Sequence, residues 1–406
     1  MTPLIIIALC ILLLVAYIFE LTNKFSRIPS ILLLLFLGWL TREIASFYNF
    51  KVPDLNSMLP ALGTISLLLI VLEGSMDLQL NHSKRKMIQS AFLTSFVVLV
   101  FTAIYLSFVI YMDGTVSFQK AFVNAIPFIV ISSSIAIPIA KMLPSAHKEF
   151  VTYESSFSDI LGILFFNFFT INEVINLHAI GSFVWQLLLI ILISIFSSLV
   201  LSVFVRKISH TVKFLPIIIM IILIYLLAEE IHLPGLLFIL IFGIFLENLD
   251  QFKNVKLVRF LHPESIEDEI ERFKELTAEV TFVARAVFFL VFGFTLETAE
   301  IIDVHSLFLS VTMVLGILAI RGIYLNIVKL PLNPLLFMAP RGLITILLFL
   351  SIPTYSQIGF IDKSVVIQVV LLTTIVSAFG LVFKPKNTLE VPEENTTETE
   401  APALDN

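Results

Sequence analysis

Cysteine is almost absent from this chain: Cys10 stands alone in 406 residues. That excludes a disulfide framework within the chain and any thiolate-bound metal cluster. Charge is scarce as well. Only 14% of the residues are Asp, Glu, Lys or Arg, against about 25% in soluble domains. All 7 histidines fall in loops or at the ends of apolar runs, and no paired-histidine metal motif occurs among them. A phosphate-cradling glycine loop and a nucleophile elbow are missing too. Hydrolysis or acyl transfer inside a membrane needs such a constellation at depth. An enzyme is therefore not expected, and no cofactor or nucleic-acid partner is implied.

What fills the chain instead is apolar. It is 58% hydrophobic with 39 Phe, and its mean hydropathy is +1.02. Windows of about 20 apolar residues recur along nearly the whole length, each able to cross a hydrocarbon core of about 30 Å. The expected fold is an all-α polytopic membrane protein of about thirteen spans. They run over 3–22, 28–47, 57–77, 88–111, 121–143, 152–172, 180–205, 214–230, 232–248, 276–297, 303–325, 333–353 and 363–383. The first run lacks a basic leader and a small-residue cleavage site, so it reads as a retained helix rather than a signal peptide.

Lys and Arg concentrate in the loops after odd-numbered spans, as in Lys84-Arg85-Lys86, whereas the opposite loops hold only Arg42, Lys51, Lys120 and Lys363. Positive-inside bias places the N-terminus outside and the C-terminus in the cytoplasm of a plasma (inner) membrane. Residues 1–384 form the membrane domain, 250–275 a mixed-charge cytoplasmic linker helix, and 385–406 an acidic, disordered tail.

The chain also carries signs of an inverted repeat, about 27–172 against about 232–383. Pro29 matches Pro234 and Gly38 matches Gly243 at an offset of 205, and Leu72-Glu-Gly-Ser lies near Phe292-Gly-Phe-Thr at an offset of 219. Paired spans of opposite orientation build many secondary transporters, whose sites lie where two helices break at the midplane. Break signals are present: Pro127 and Pro138 surround Ser132-Ser133-Ser134, and Pro334 and Pro340 lie in the twelfth span.

Polar residues at membrane depth then carry the function. Asp159, inside Glu154-Ser-Ser-Phe-Ser-Asp159, costs about 2.5–3.5 kcal/mol on insertion scales and marks an ion or proton pathway. Alkali cations prefer hard oxygen ligands. Burial disfavours a bare carboxylate, so a proton and a cation can exclude each other at one group. That exclusion is antiport in its simplest form. Ser158, Ser155, Ser132 and Ser133 are candidate neutral ligands beside Asp159. Glu154 lies about 140° around the helix from Asp159, and its expected role is a structural ion pair with Arg285. Arg341 follows the break at Pro340, where its charge can offset a half-helix C-terminus or repel cations. Glu73 sits near a span end and is expected to line the cytoplasmic funnel.

These segments resemble those of the monovalent cation:proton antiporters, and within them the sodium/proton exchangers of the NhaP and NHE type. Leu62-Gly-Thr-Ile-Ser through Leu72-Glu-Gly-Ser is similar to an early Gly-rich helix of that group, and Glu154-Ser-Ser-Phe-Ser-Asp159 resembles its Glu-Ser-Leu-x-Asn-Asp signature. Phe282-Val-Ala-Arg-Ala-Val-Phe-Phe is similar to the motif with its buried arginine, and Ala339-Pro-Arg-Gly342 to its second broken helix. The resemblance implies a homodimeric carrier whose core moves against a dimerisation domain. It makes Asp159 the Na+ site, Glu154 and Arg285 a stabilising pair and Ser132 a ligand. One aspartate, not two, implies electroneutral exchange of Na+ for H+. Ser158 replaces the usual Asn and Ser132-Ser133-Ser134 the usual Thr-Asp-Pro, closer to the potassium-efflux branch. Li+ or K+ therefore remain alternative cargoes, with a channel or membrane sensor as a further alternative.

Overall fold

The computed structural model describes residues 2–26, 29–48, 55–80, 84–172, 176–207, 214–231, 233–249 and 267–380. All regular structure among them is helical. The helices are α1 (Thr2–Ser26), α2 (Ser30–Phe47), α3 (Leu59–Ser75), α4 (Arg85–Tyr111), α5 (Phe118–Ile129), α6 (Ser133–Ala140), α7 (Ser145–Ile171) and α8 (Leu177–Lys207). They continue with α9 (Phe214–Glu230), α10 (Gly235–Glu247), α11 (Glu267–Phe294), α12 (Thr298–Ile302), α13 (Val304–Ile327), α14 (Leu332–Leu335), α15 (Leu343–Leu350) and α16 (Lys363–Gly380). Each of the thirteen expected spans falls on this series, with the fifth and the twelfth divided in two. Seven of the segments are long and apolar enough to cross a bilayer, and several shorter helices are equally apolar. The expected separate linker helix at 250–275 is corrected in part: residues 267–275 are the first turns of α11. Residues 250–266 and the acidic tail lie outside the described residues.

Proline sets several of the helix starts. Pro29, Pro144 and Pro234 each stand immediately before the first residue of α2, α7 and α10. There the missing N–H is not needed and the fixed φ is already compatible with a helix. The helices form two packed groups. In one, α2 and α3 lie on α11, α10 lies on α3, α8 and α9, and α1 covers α2 and α11. In the other, α4, α5, α6 and α7 pack together, joined by α13, α15 and α16. The seam between the groups runs along α3, which touches α6, α7 and α15.

Within the first group the two halves of the sequence exchange partners. By the offsets noted above, α2 corresponds to α10 and α3 to α11. In the structure α2 packs on α11 while α10 packs on α3. Both crossings are close because a glycine occupies each. A Cβ on Gly38 would collide with the backbone of Leu290, Gly293 and Phe294, and one on Gly243 would collide with Ser75 and approach the carbonyl of Leu72. Without a hydrophobic force between helices in lipid, such small-residue contacts are what lets van der Waals packing hold them together. Gly38→Leu should therefore lower the melting temperature of the purified protein, at a cost of about 1–3 kcal/mol or more because only backbone can yield. Gly181→Ala, where nothing lies within 4 Å, should cost nothing; equal losses for both would refute the close-crossing account.

At one end of the molecule a polar cluster ties the groups together. Arg42 and Lys363 both donate to the Thr295 carbonyl at 3.0 Å, and Arg42 also pairs with Glu297 at 2.8 Å. Gln368 of α16 reaches the carbonyls of Glu300, Ile301 and Asp303 in the short α12 connection.

Candidate functional site

The fifth span breaks between α5 and α6, over Val130–Ser132, and the twelfth breaks between α14 and α15. The two breaks meet. Ser132 N–H donates to the Pro340 carbonyl at 2.9 Å, and Arg341 N–H donates to Thr373 Oγ1 at 3.0 Å. Irregular backbone at membrane depth survives only if its polar groups are satisfied inside the protein; here one break's amide finds the other break's carbonyl, and the second break's amide finds a hydroxyl of α16. The flanking prolines, Pro127 and Pro138, lie inside α5 and α6 rather than at the break itself.

Arg341 sits at the centre, 1% exposed. Its Nε donates to Phe128 O at 2.8 Å, Nη2 to Ile129 O at 3.1 Å, and Nη1 to Ala339 O. The first two carbonyls close α5, so a fixed positive charge stands against the negative end of that half helix. The far side of the break begins α6, and here the first amide, Ser133 N–H, donates to Asp159 Oδ2 at 3.3 Å. A carboxylate thus faces the positive N-terminal end of the second half helix.

Asp159 is 3% exposed, and its Oδ1 has no hydrogen-bond partner among the described residues. No arginine or lysine is paired with it among those residues. It lines a small cavity of about 10 Å³ together with Ser133, Ser156, Ser75, Gly74 and apolar residues of α3, α7 and α10. A second small cavity of about 30 Å³ adjoins the first, sharing Ile70, Gly74 and Ser133, and is lined further by Glu73, Asp77, Lys141 and Arg285. Both lie along the last turns of α3, opposite the end where Arg42 and Lys363 converge on Thr295. A carboxylate oxygen, hydroxyls and a polar antechamber give a small hard cation its preferred surroundings.

The candidate serines divide. Ser133 shares the cavity with Asp159. The Ser158 hydroxyl accepts from Ile131 N–H at 2.9 Å, Ser132 and Ser134 share a hydroxyl contact at 2.8 Å, and Ser155 donates to the Thr152 carbonyl at 3.2 Å. Those three positions shape the break and the helix; none of Ser132, Ser155 and Ser158 lines either cavity. Ser156, which does, was not among the expected ligands; it lies three residues before Asp159.

The expected pairing of Glu154 with Arg285 is corrected. Glu154 forms a two-pronged pair with Arg321 of α13, Nη2 lying 2.8 Å from Oε2 and Nη1 bonded to Oε1, and both side chains are sealed at 1% and 0% exposure. Arg321 Nε donates to the Leu335 carbonyl at 2.8 Å. Arg285 belongs to α11, in the other helix group, and stands instead 3.5 Å from Glu20 of α1. The sequence signal for Arg321 was the same as for Arg285: a lone charge in an apolar run.

A family model described as sodium/hydrogen exchanger, transmembrane, matches residues 6–386. Two solved structures share the architecture. One is the sodium proton antiporter MjNhaP1 from Methanocaldococcus jannaschii at pH 8, with a TM-score of 0.69 and 16% identity over 92% of this chain and 98% of that one. The other, an electron-microscopy structure of the same antiporter, gives a TM-score of 0.65 and 18% identity over 95% of this chain and 100% of that one. At such identity the likeness establishes the fold. No curated protein matches the chain in sequence.

Proposed function

We infer the mechanism from one premise: the chain belongs to the sodium/hydrogen exchanger family, and it is a multi-pass membrane protein that carries out cation/proton antiport. Asp159 is the group at which the two cargoes compete. The observation that carries this reading is a buried carboxylate that lines a cavity and, among the described residues, keeps one oxygen without a hydrogen-bond partner and has no cationic side chain upon it. With a proton on it the site is neutral; with Na+ on it the site is neutral again. The bare anion is the disfavoured state, which couples release of one cargo to uptake of the other. Ser133 holds the carboxyl by its amide, while Ser156 and Ser75 offer hydroxyls on the cavity wall.

Access alternates by movement of the α4–α7 and α13–α16 group against the group built on α2, α3, α10 and α11. The positive-inside distribution assigns the Asp159 cavity to the cytoplasmic side and the Arg42–Thr295–Lys363 junction to the outer side. A plasma-membrane homodimer and one-for-one, electroneutral exchange complete the reading.

Purified protein in vesicles provides the test. An outward Na+ gradient should drive proton uptake that saturates, runs in either direction and leaves membrane potential unaltered. Potential-sensitive flux would refute the one-for-one stoichiometry. The same assay with Li+ and K+ ranks the cargoes; K+ in place of Na+ would assign the chain to the potassium-exchanging alternative suggested by Ser132-Ser133-Ser134.

A further inference from the structure

Three arginines lie at membrane depth, and they are held very differently. Arg321 and Arg341 are 0% and 1% exposed, and every guanidinium nitrogen of each donates a hydrogen bond. These are fixed structural charges. Arg285 makes a single ion contact among the described residues, Nη2 to Glu20 Oε1 at 3.5 Å, beyond hydrogen-bonding reach. Its side chain is 12% exposed and lines the cavity that adjoins the Asp159 chamber. Glu20 is itself anchored, since its Oε2 accepts from Ser30 Oγ at 2.6 Å. Arg285 is thus a loosely held cation on the cavity wall, tethered by an anchored carboxylate from a third helix, unlike the two fixed arginines.

We propose that Arg285 is an electrostatic guard that sets the apparent affinity for the transported cation, and that Glu20 positions it by holding the guanidinium against the α1 side of the cavity. The proposal rests on the reading of Asp159 as the cargo site. The local charge balance supports it. Asp77, on the same cavity, is neutralised by Lys274 at 2.9 Å, and Lys141 adds a second positive charge at the wall beside Glu73. Arg285, which faces Glu73 across the same cavity and is held only loosely by Glu20, is the adjustable member of the set: tethered to Glu20 its field in the lumen is partly cancelled, and untethered it repels Na+.

The test is sodium-dependent proton flux by the full-length protein in vesicles, read as separate KM and kcat. Arg285→Gln should lower the KM for Na+ by about five- to tenfold at low ionic strength with kcat nearly unchanged, and the difference should shrink when choline chloride is added. Glu20→Gln should raise KM, Arg285→Lys should stay near wild type, and the Glu20→Gln/Arg285→Gln double variant should follow Arg285→Gln. A KM that rises in Arg285→Gln, or equal impairment in Arg285→Gln and Arg285→Lys, overturns the proposal. Should Arg285→Gln not fold, an unchanged KM in Glu20→Gln overturns it on its own. Failure of the underlying site assignment is read separately, because it would appear as exchange persisting without the Asp159 carboxylate.

Discussion

Asp159→Asn should reduce sodium-driven proton movement to the level of protein-free vesicles while leaving a protein that elutes and melts as a folded species. Asparagine keeps the shape of the side chain and an acceptor oxygen for Ser133 N–H, so the meeting of the two breaks has no reason to change. What disappears is the charge. A cation entering the cavity would then have no anion to neutralise it, and taking an unpaired ion out of water costs several kcal/mol. Nor can the amide carry the exchanged proton. A second readout separates loss of binding from loss of movement. Wild-type protein at a Na+ concentration of 100 times Kd gains about 2.7 kcal/mol of stability by mass action, visible as a rise in melting temperature, and the Asn variant should gain none. Retained sodium-driven flux would remove Asp159 from the mechanism.

Glu154→Ala should do the opposite: its first effect is on the folded protein, not on the cargo. The carboxylate is fully engaged by Arg321, and neither group touches water. Deleting it strands a buried guanidinium at a cost of about 3–5 kcal/mol, a large share of the about 5–15 kcal/mol that holds a typical protein folded. Arg321→Met should cost a comparable amount, with the loss of its bond to the Leu335 carbonyl added. Removing both charges should cost less than the sum of the two, because a neutral pair leaves no stranded ion. Thermal unfolding in detergent and monodisperse yield measure this cycle. A stable but inactive Glu154→Ala would assign the carboxylate to transport instead.

The span count was open to reading because run length against bilayer thickness is a strong, local constraint. The broken spans were legible too, from prolines that cannot continue a helix unaided, although the fifth span yields between Pro127 and Pro138 while the twelfth yields at Pro340 itself. The helical turn correctly separates Glu154 from Asp159, which face Arg321 and Ser133 respectively. What the turn cannot supply is the identity of the neighbour. Arg285 and Arg321 sit in similar apolar text, and only the packing of α13 beside the α4–α7 group, with α11 on the far side of the seam, decides which reaches Glu154. The serines show the same limit. Ser155, Ser156 and Ser158 are nearly adjacent in sequence, yet only Ser156 meets the cavity. Ser155 and Ser156 both lie within one turn of Asp159, so helix periodicity alone cannot choose between them; the packing of α3 and α10 against α7 does.

The exchange of partners around Gly38 and Gly243 has a consequence for how the protein is made. α2 and α3 emerge from the ribosome long before α10 and α11 exist, yet each rests against a helix from the later half. During synthesis the Gly38 groove of α2 and the Ser75 face of α3 therefore lack these partners, and closure waits until α11 has been threaded into the bilayer. Neither half is an independent folding unit, so biogenesis of the carrier must end in a late, cooperative docking of two interlocked halves.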